Sequence, residues 1–188
     1  MKQFNQLEQE LKLLNVFSLM AREELSTLYK FALEVPKNSI LVELGSFCGN
    51  SSYYLAEAAR STNSKLFCVD SFKVGFDGQP QIDSRSKWHQ VMSNNMDVTT
   101  LLDMTTHDAG LEFNQEIDFI FIDADHTYEG LLLDLQDWLP KVKSDGLVLL
   151  HDFTNTACPG IKRAFDEYTQ DTYKELNSTW SLKVFKRP

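Results

Sequence analysis

Acidic and imidazole side chains recur at five places where a short apolar run stops: Glu43-Leu44-Gly45, Asp70, Thr105-Thr106-His107-Asp108, Asp123-Ala124-Asp125-His126 and His151-Asp152. A carboxylate can grip hydroxyls, hold a hard cation or take a proton. A histidine exchanges a proton near neutral pH. The first of these places also carries glycine, in Val42-Glu43-Leu44-Gly45-Ser46-Phe47-Cys48-Gly49-Asn50-Ser51. Gly45 and Gly49 let the backbone turn tightly and approach a ligand. A helix opening near Ser51 would aim its first amides into that turn, which favours an anionic group such as a carboxylate. Asp70 follows about 20 residues later, where an acid can hold the two hydroxyls of a ribose. Loop and acid together point to a nucleoside-type cofactor.

The surrounding pattern says how these residues are held. Leu7, Leu11 and Leu14, then Leu25, Leu28, Tyr29 and Ala32, recur at helical spacing. They predict two N-terminal helices, within residues 1–38, packing on a core formed by residues 39–188. From Ser39 the period changes. Ser39–Val42, Lys65–Asp70, Thr99–Leu102, Ile117–Ile122 and Leu147–Leu150 are short apolar runs suited to strands buried on both faces. Helical stretches stand between them: Ser51–Arg60, one carrying Trp88, Val91 and Met92, one carrying Leu131, Leu135, Trp138 and Leu139, and one near Ile161–Tyr168. Asp145-Gly146 reads as a turn into the fifth strand. Two extended segments, Tyr173–Leu176 and Ser181–Phe185, have no helix between them and predict a hairpin. Alternating strands and helices make an α/β fold with a mostly parallel sheet and an antiparallel edge. In such sheets ligands bind beyond the carboxyl ends of the strands, where all five polar groups fall.

Whole-chain properties narrow the partners. The 188 residues, 43 % of them hydrophobic, suit one domain with a sizeable core. A net charge of −9 repels phosphate backbones, so no nucleic-acid partner is expected. No basic run suggests a membrane surface, no apolar run is long enough to span one, and Met1-Lys2-Gln3-Phe4 does not open a secretory signal. Cys48, Cys68 and Cys158 are too widely spaced for a zinc or redox pair, and reduced thiols in a cytoplasmic protein are expected.

The glycine loop resembles the cofactor loop of the catechol-type, metal-dependent O-methyltransferases. Phe121-Ile122-Asp123-Ala124-Asp125-His126-Thr127-Tyr128-Glu129-Gly130, continuing through Trp138-Leu139-Pro140 to Gly146–Phe153, resembles more closely the macrolide-sugar O-methyltransferase and cephalosporin-hydroxylase-like group. The resemblance covers Ile40 to Phe153. It implies a Rossmann-like, class I S-adenosylmethionine-dependent methyltransferase sandwich with a seven-stranded sheet, an antiparallel C-terminal hairpin and helices on both faces. It implies that Glu43, Gly45, Phe47 and Ser51, with Gly49 in the same loop, hold the methionine end of S-adenosyl-L-methionine. Asp70 would hold its ribose, and Thr106 would lie near its adenine. Asp123 and Asp152 would hold a divalent cation, magnesium or manganese, and His126 would act as general base. The residues themselves left a dinucleotide open, yet Phe47 stands where a Gly-x-Gly-x-x-Gly fingerprint has its second glycine. A nicotinamide-dependent oxidoreductase and a non-catalytic S-adenosylmethionine-binding protein are the alternatives.

The implied chemistry is physically coherent. A hydroxyl is a poor nucleophile until its proton is taken, and a hard cation beside a base eases that step. Two departures from the resemblance stand out. Phe153 replaces an asparagine of the catechol type, and His151 replaces a glutamate of the macrolide type. With His151 as third ligand beside Asp123 and Asp152, manganese, iron or zinc gain over magnesium. The acceptor is expected to be a small molecule or a sugar, and the N-terminal helices are candidate interface elements for a homo-oligomer. Trp88 and Trp138 are expected in the core and Trp180 packed in the hairpin. His89 and His107 read as surface residues, Asp125 as an acid that orients its loop, and Cys48 as unreactive. Phe72–Pro80, with its glycines and aromatics, suits a lid or a disordered surface loop.

Overall fold

The computed structural model describes residues 1–73 and 83–188. The lid expected over Phe72–Pro80 therefore lies almost wholly outside the described residues. Two helices, α1 (Phe4–Leu13) and α2 (Arg22–Leu33), precede an alternation of strands and helices. These are β1 (Ile40–Leu44), α3 (Asn50–Thr62), β2 (Lys65–Val69), α4 (Ser84–Met92), β3 (Thr99–Leu102), α5 (Thr106–Glu112), β4 (Ile117–Ile122), α6 (Tyr128–Trp138) and β5 (Val142–Leu150). Helix α7 (Pro159–Thr169) and the strands β6 (Lys174–Thr179) and β7 (Leu182–Lys186) close the chain. The seven strands lie in the order β3-β2-β1-β4-β5-β7-β6. The first five are parallel, while β7 runs antiparallel to β5 and to β6. This is the Rossmann-like methyltransferase sheet expected from the resemblance.

Strand alternation divides the core in two. In β1, Leu41 points to one face while Val42 and Leu44 point to the other. In β4, Phe119 and Phe121 go with Leu41, and Ile120 and Ile122 with Val42. The first face is covered by α1–α4 through Leu7, Leu28, Tyr54, Leu55 and Trp88. The second is covered by α5–α7 through Leu135, Trp138, Ile161 and Phe165. Trp88 and Trp138 are fully buried, as their helical spacing implied. The chain thus buries both sheet faces, which leaves the strand ends as the place where polar groups can gather.

Three sequence expectations change. Asp145-Gly146 is not a turn before the fifth strand. Strand β5 begins at Val142 and runs through it, with an irregular register against β4 between Ile117 and Phe119 and a left-handed Asp145 (φ 66°). Trp180 does not pack in the hairpin. It occupies the tight turn between β6 and β7 at φ 52° and is 72 % exposed. Helix α5 is an element beyond those expected, seven residues long and capped by the Thr105 hydroxyl, which accepts from the Asp108 amide.

Candidate active site

The glycine loop leaves β1 and enters α3. Gly45 (φ 84°) and Gly49 (φ 83°) are both left-handed, and Gly49 is the N-cap of α3. Both are demanded by the chain itself. A Cβ on Gly45 would lie 2.0 Å from the Asp123 carbonyl oxygen, and one on Gly49 would crowd Trp88 at 3.2 Å. Gly45 lets the loop touch the end of β4, which joins the two halves of the cleft. Phe47 is also left-handed (φ 42°), in the region a glycine enters freely, and its ring meets the edge of Phe17 from the α1–α2 connection.

The expected cofactor residues fall into two groups. Glu43 is fully buried beneath the loop, and its Oε2 accepts from the hydroxyls of Ser46 (2.7 Å) and Ser52 (2.5 Å). Trp88 donates in turn to Ser52 (3.1 Å). Burial pushes the Glu43 carboxyl up against these hydroxyls, and its Oε1 has no hydrogen-bond partner among the described residues. Glu43 therefore shapes the loop from behind. Ser51 is buried beside it in the first turn of α3. Asp70 faces the cleft. Its Oδ2 accepts from the amides of Ser46 (2.8 Å) and Phe47 (2.7 Å), and its Oδ1 from Phe72 (2.7 Å). The acid at the end of β2 thus holds the glycine loop in place, and a ribose would share it with these amides. Thr106 opens α5; its carbonyl accepts from Trp138 Nε1 (3.0 Å) and its hydroxyl faces the buried Asp134.

Across the cleft, adjacent β4 and β5 end together and bring the other group into one cluster. His126 Nε2 lies 3.1 Å from Asp123 Oδ1 and 3.6 Å from Asp152 Oδ2. His151 Nδ1 lies 3.1 Å from the same Asp123 oxygen and 3.4 Å from Asp152 Oδ2. Asp152 adopts φ 55° and accepts at Oδ1 from Asn155 Nδ2 (2.9 Å). Asp125 accepts from the Thr127 amide (2.9 Å) and packs on Gly130, so it orients the loop as expected. His107 is exposed and paired with Asp137.

Charges in this cluster are matched. Burial opposes ionisation of Asp123, yet hydrogen bonds with His126 and His151 hold its carboxyl well below the usual range. His126 is raised by its bond to Asp123 against its burial. Burial also opposes charge on His151, but Asp123, Asp152 and Glu24 push it up to about 12. Glu24 on α2 is the participant that sequence reasoning missed. Its Oε2 lies 3.2 Å from His151 Nε2, and its Oε1 accepts from the Ser181 amide (2.9 Å) and hydroxyl (2.8 Å). The partner lies 127 residues away, on a helix whose pattern reads only as amphipathic, so no local signal marks it.

Asp123, His151 and Asp152 offer ligand atoms within 4.8 Å of one another, and so do His126, Asp152 and Cys158. Two carboxylates and an imidazole on a rigid sheet end suit a divalent ion of the manganese, iron or zinc type. Glu24 behind His151 completes a carboxylate–histidine arrangement that fixes the ring for a ligand at Nδ1. The donors present therefore fit a cation.

Residues 42–153, more than half of the chain, match a family described as a methyltransferase domain. The chain belongs to this family. The domain is 27 % identical over 122 residues to the uncharacterized protein y4gI of Sinorhizobium fredii, a match covering 60 % of this chain. It spans only 13 % of that relative's length. Among solved structures, the O-methyltransferase NovP superposes with TM-score 0.70 at 19 % identity, over 90 % of this chain and 81 % of NovP. The SAH-bound methyltransferase PaMTH1 of Podospora anserina superposes with TM-score 0.70 at 13 % identity, over 90 % of this chain and 80 % of PaMTH1. These likenesses carry the methyltransferase-domain fold. No helix among the described residues is long and apolar enough to cross a membrane.

Proposed function

We propose that this methyltransferase domain transfers a methyl group from S-adenosylmethionine to a hydroxyl of a small molecule or sugar, with a divalent cation beside the acceptor. The observation that carries this reading is the convergence of Asp123, His126, His151 and Asp152 at two neighbouring strand ends, against a glycine loop that touches Asp123. NovP is an O-methyltransferase and PaMTH1 binds SAH, which favours the same cofactor and acceptor atom here. Family membership favours methyl transfer over the nicotinamide reading that the residues had left open. A chain of net charge −9 favours a small acceptor over a polyanion.

In this reading the loop from Gly45 to Ser51 and the first turn of α3 bind the methionine end, and Asp70 binds the ribose. The cofactor supplies an electrophilic methyl on a sulfonium. Asp123, Asp152 and His151 would hold the cation, which would lower the pKa of the acceptor hydroxyl. His126 takes the hydroxyl proton at Nε2. The acceptor oxygen then forms its bond to the methyl carbon as the carbon–sulfur bond breaks onto sulfur. For His126 to serve, it must be neutral; a cation held by Asp123, Asp152 and His151 would favour this by taking the place of the histidine protons that balance the two carboxylates.

Calorimetry with S-adenosylmethionine and its demethylated product tests the root of the proposal. Saturable binding of both is expected, and absence of either binding event would sink it. Turnover against a panel of hydroxylated acceptors, with and without chelator, tests the cation.

A further inference from the structure

The two ligand sets at the sheet end share Asp152 but differ in chemistry. One holds Asp123 and His151. The other adds a thiol, with His126 and Cys158. Three loops meet there: His126 follows β4, Asp152 follows β5, and Cys158 is the N-cap of α7. Cys158 is brought in by the chain behind it. Gly160 packs on Tyr128, and a Cβ at that position would lie 2.6 Å from the Tyr128 backbone nitrogen. Only glycine lets the start of α7 approach the start of α6 this closely, and that contact sets Cys158 against the loop of His126. The Cys158 amide donates to the Asn155 carbonyl (3.0 Å), and Asn155 holds Asp152, so thiol and carboxylate belong to one ordered turn.

We infer that His126, Asp152 and Cys158 form a second metal site, selective for a thiophilic ion such as zinc, whose occupation occupies the imidazole the methyl-transfer reading assigns as base. A tetrahedral zinc ion holds its donors about 3.5 Å apart, so a set spread over at most 4.8 Å closes by rotamer-scale movement. Imidazole, carboxylate and thiolate form a zinc-type donor set that leaves a fourth position open. Magnesium has no use for the sulfur and is left to the carboxylates. On binding, the Cys158 S–H bond breaks, sulfur keeps the electron pair and donates it to the ion, and the proton leaves to solvent. His126 binds through the lone pair that would otherwise take the acceptor's proton. The site therefore makes a soft ion an inhibitor where a hard one serves as cofactor. Only this inhibitory consequence rests on the proposed function; the binding does not.

Cobalt(II) titration of the chelator-treated protein reads the site directly. The expected result is a thiolate-to-cobalt charge-transfer band that saturates at one equivalent and is displaced by zinc. The near-isosteric Cys158→Ser should remove the band while thermal unfolding stays unchanged. Asp123→Asn should keep it, because Asp123 belongs to the other set. Zinc affinity of Cys158→Ser should fall by more than about 100-fold, beyond the loss of a partner that only positions a ligand. A cobalt spectrum with no thiolate band, or a band that survives Cys158→Ser, overturns the inference. In the activity arm, zinc should inhibit the wild type and inhibit Cys158→Ser at least about tenfold less strongly; equal inhibition overturns the inhibitory role. A protein that binds cobalt through Cys158 yet transfers no methyl group fails the proposed function alone.

Discussion

The two walls of the cleft hold their carboxylates in opposite ways. On the β1–β2 wall, Glu43 is met by serine hydroxyls and Asp70 by three backbone amides. These donors are neutral and stay protonated at any ordinary pH. On the β4–β5 wall, Asp123 and Asp152 are met by two imidazoles, and His151 is backed by a third carboxylate, Glu24. These partners can lose their protons to water, to an acceptor or to an arriving cation. The first wall is built to keep one shape, the second to exchange charge. Substitutions should therefore fail differently on the two sides, through folding and binding on one and through chemistry on the other.

The hardest test of the rigid wall is Gly45→Ala. Its methyl would enter the Asp123 carbonyl at a φ of 84°. A loss of more than about 3 kcal/mol in urea unfolding is expected, because the contact is backbone against backbone and cannot relax by a rotamer change. On the exchanging wall, His126→Ala should leave cofactor affinity and unfolding nearly unchanged but lower turnover about 10²–10⁴-fold. Parallel kinetics and calorimetry separate the two. If His126→Ala instead abolished cofactor binding with turnover in proportion, the division between the walls would be wrong.

The sequence made the rigid wall legible because its parts are local. A glycine loop sits within a few residues of its strand, and Asp70 ends the next one. The strand ends of the other wall were legible for the same reason: each apolar run stops at its own acid or histidine. What brings the wall together was not. Glu24 acts across 127 residues, and its helix shows only an amphipathic stripe. Cys158 reaches His126 through the contact of Gly160 with Tyr128, which spacing alone does not reveal. The Asp145-Gly146 pair was misread because turn chemistry also serves a strand irregularity, where the left-handed Asp145 keeps β5 in pairing. Trp180 was misread because an aromatic in a hairpin suggests packing, while here the tight turn sets its direction.

Glu24 gives a finer test of the exchanging wall. Glu24→Gln keeps size but removes the charge behind His151 and one of the two accepting oxygens. Manganese affinity, followed by electron paramagnetic resonance, should weaken about 10–100-fold, as for other partners behind a ligating histidine. Glu24 also binds the Ser181 amide and hydroxyl, so a merely structural role would lower stability and leave manganese affinity alone. Unfolding of the same variant distinguishes the two outcomes.

Asp134 on α6 faces only the Thr106 hydroxyl, with no imidazole or backbone amide hydrogen-bonded to it, and shows what each wall avoids. It is 1 % exposed, and neither carboxylate oxygen has a hydrogen-bond partner among the described residues. Burial, reinforced by Asp125 and Asp137, raises its carboxyl from 3.8 to about 7. The folded state thus binds this proton more tightly than the unfolded chain. Stability falls as pH rises from the unfolded value towards the folded one, and the cost is fully present above about pH 7. Asp134→Asn cannot ionise. Above pH 7 it should therefore be more stable than the wild type by at least about 1–2 kcal/mol, since each unit by which folding raises the pKa costs the wild type about 1.4 kcal/mol. Near pH 5 the gain should be less than about half as large, and it should vanish only below 3.8, where Asp134 is protonated in the folded and the unfolded chain alike. Urea melts of the two proteins at both pH values compare like with like, because every other group titrates in both. A gain that does not depend on pH would mean that Asp134 titrates alike in the folded and unfolded chain, and that burial behind this cleft does not hold its proton.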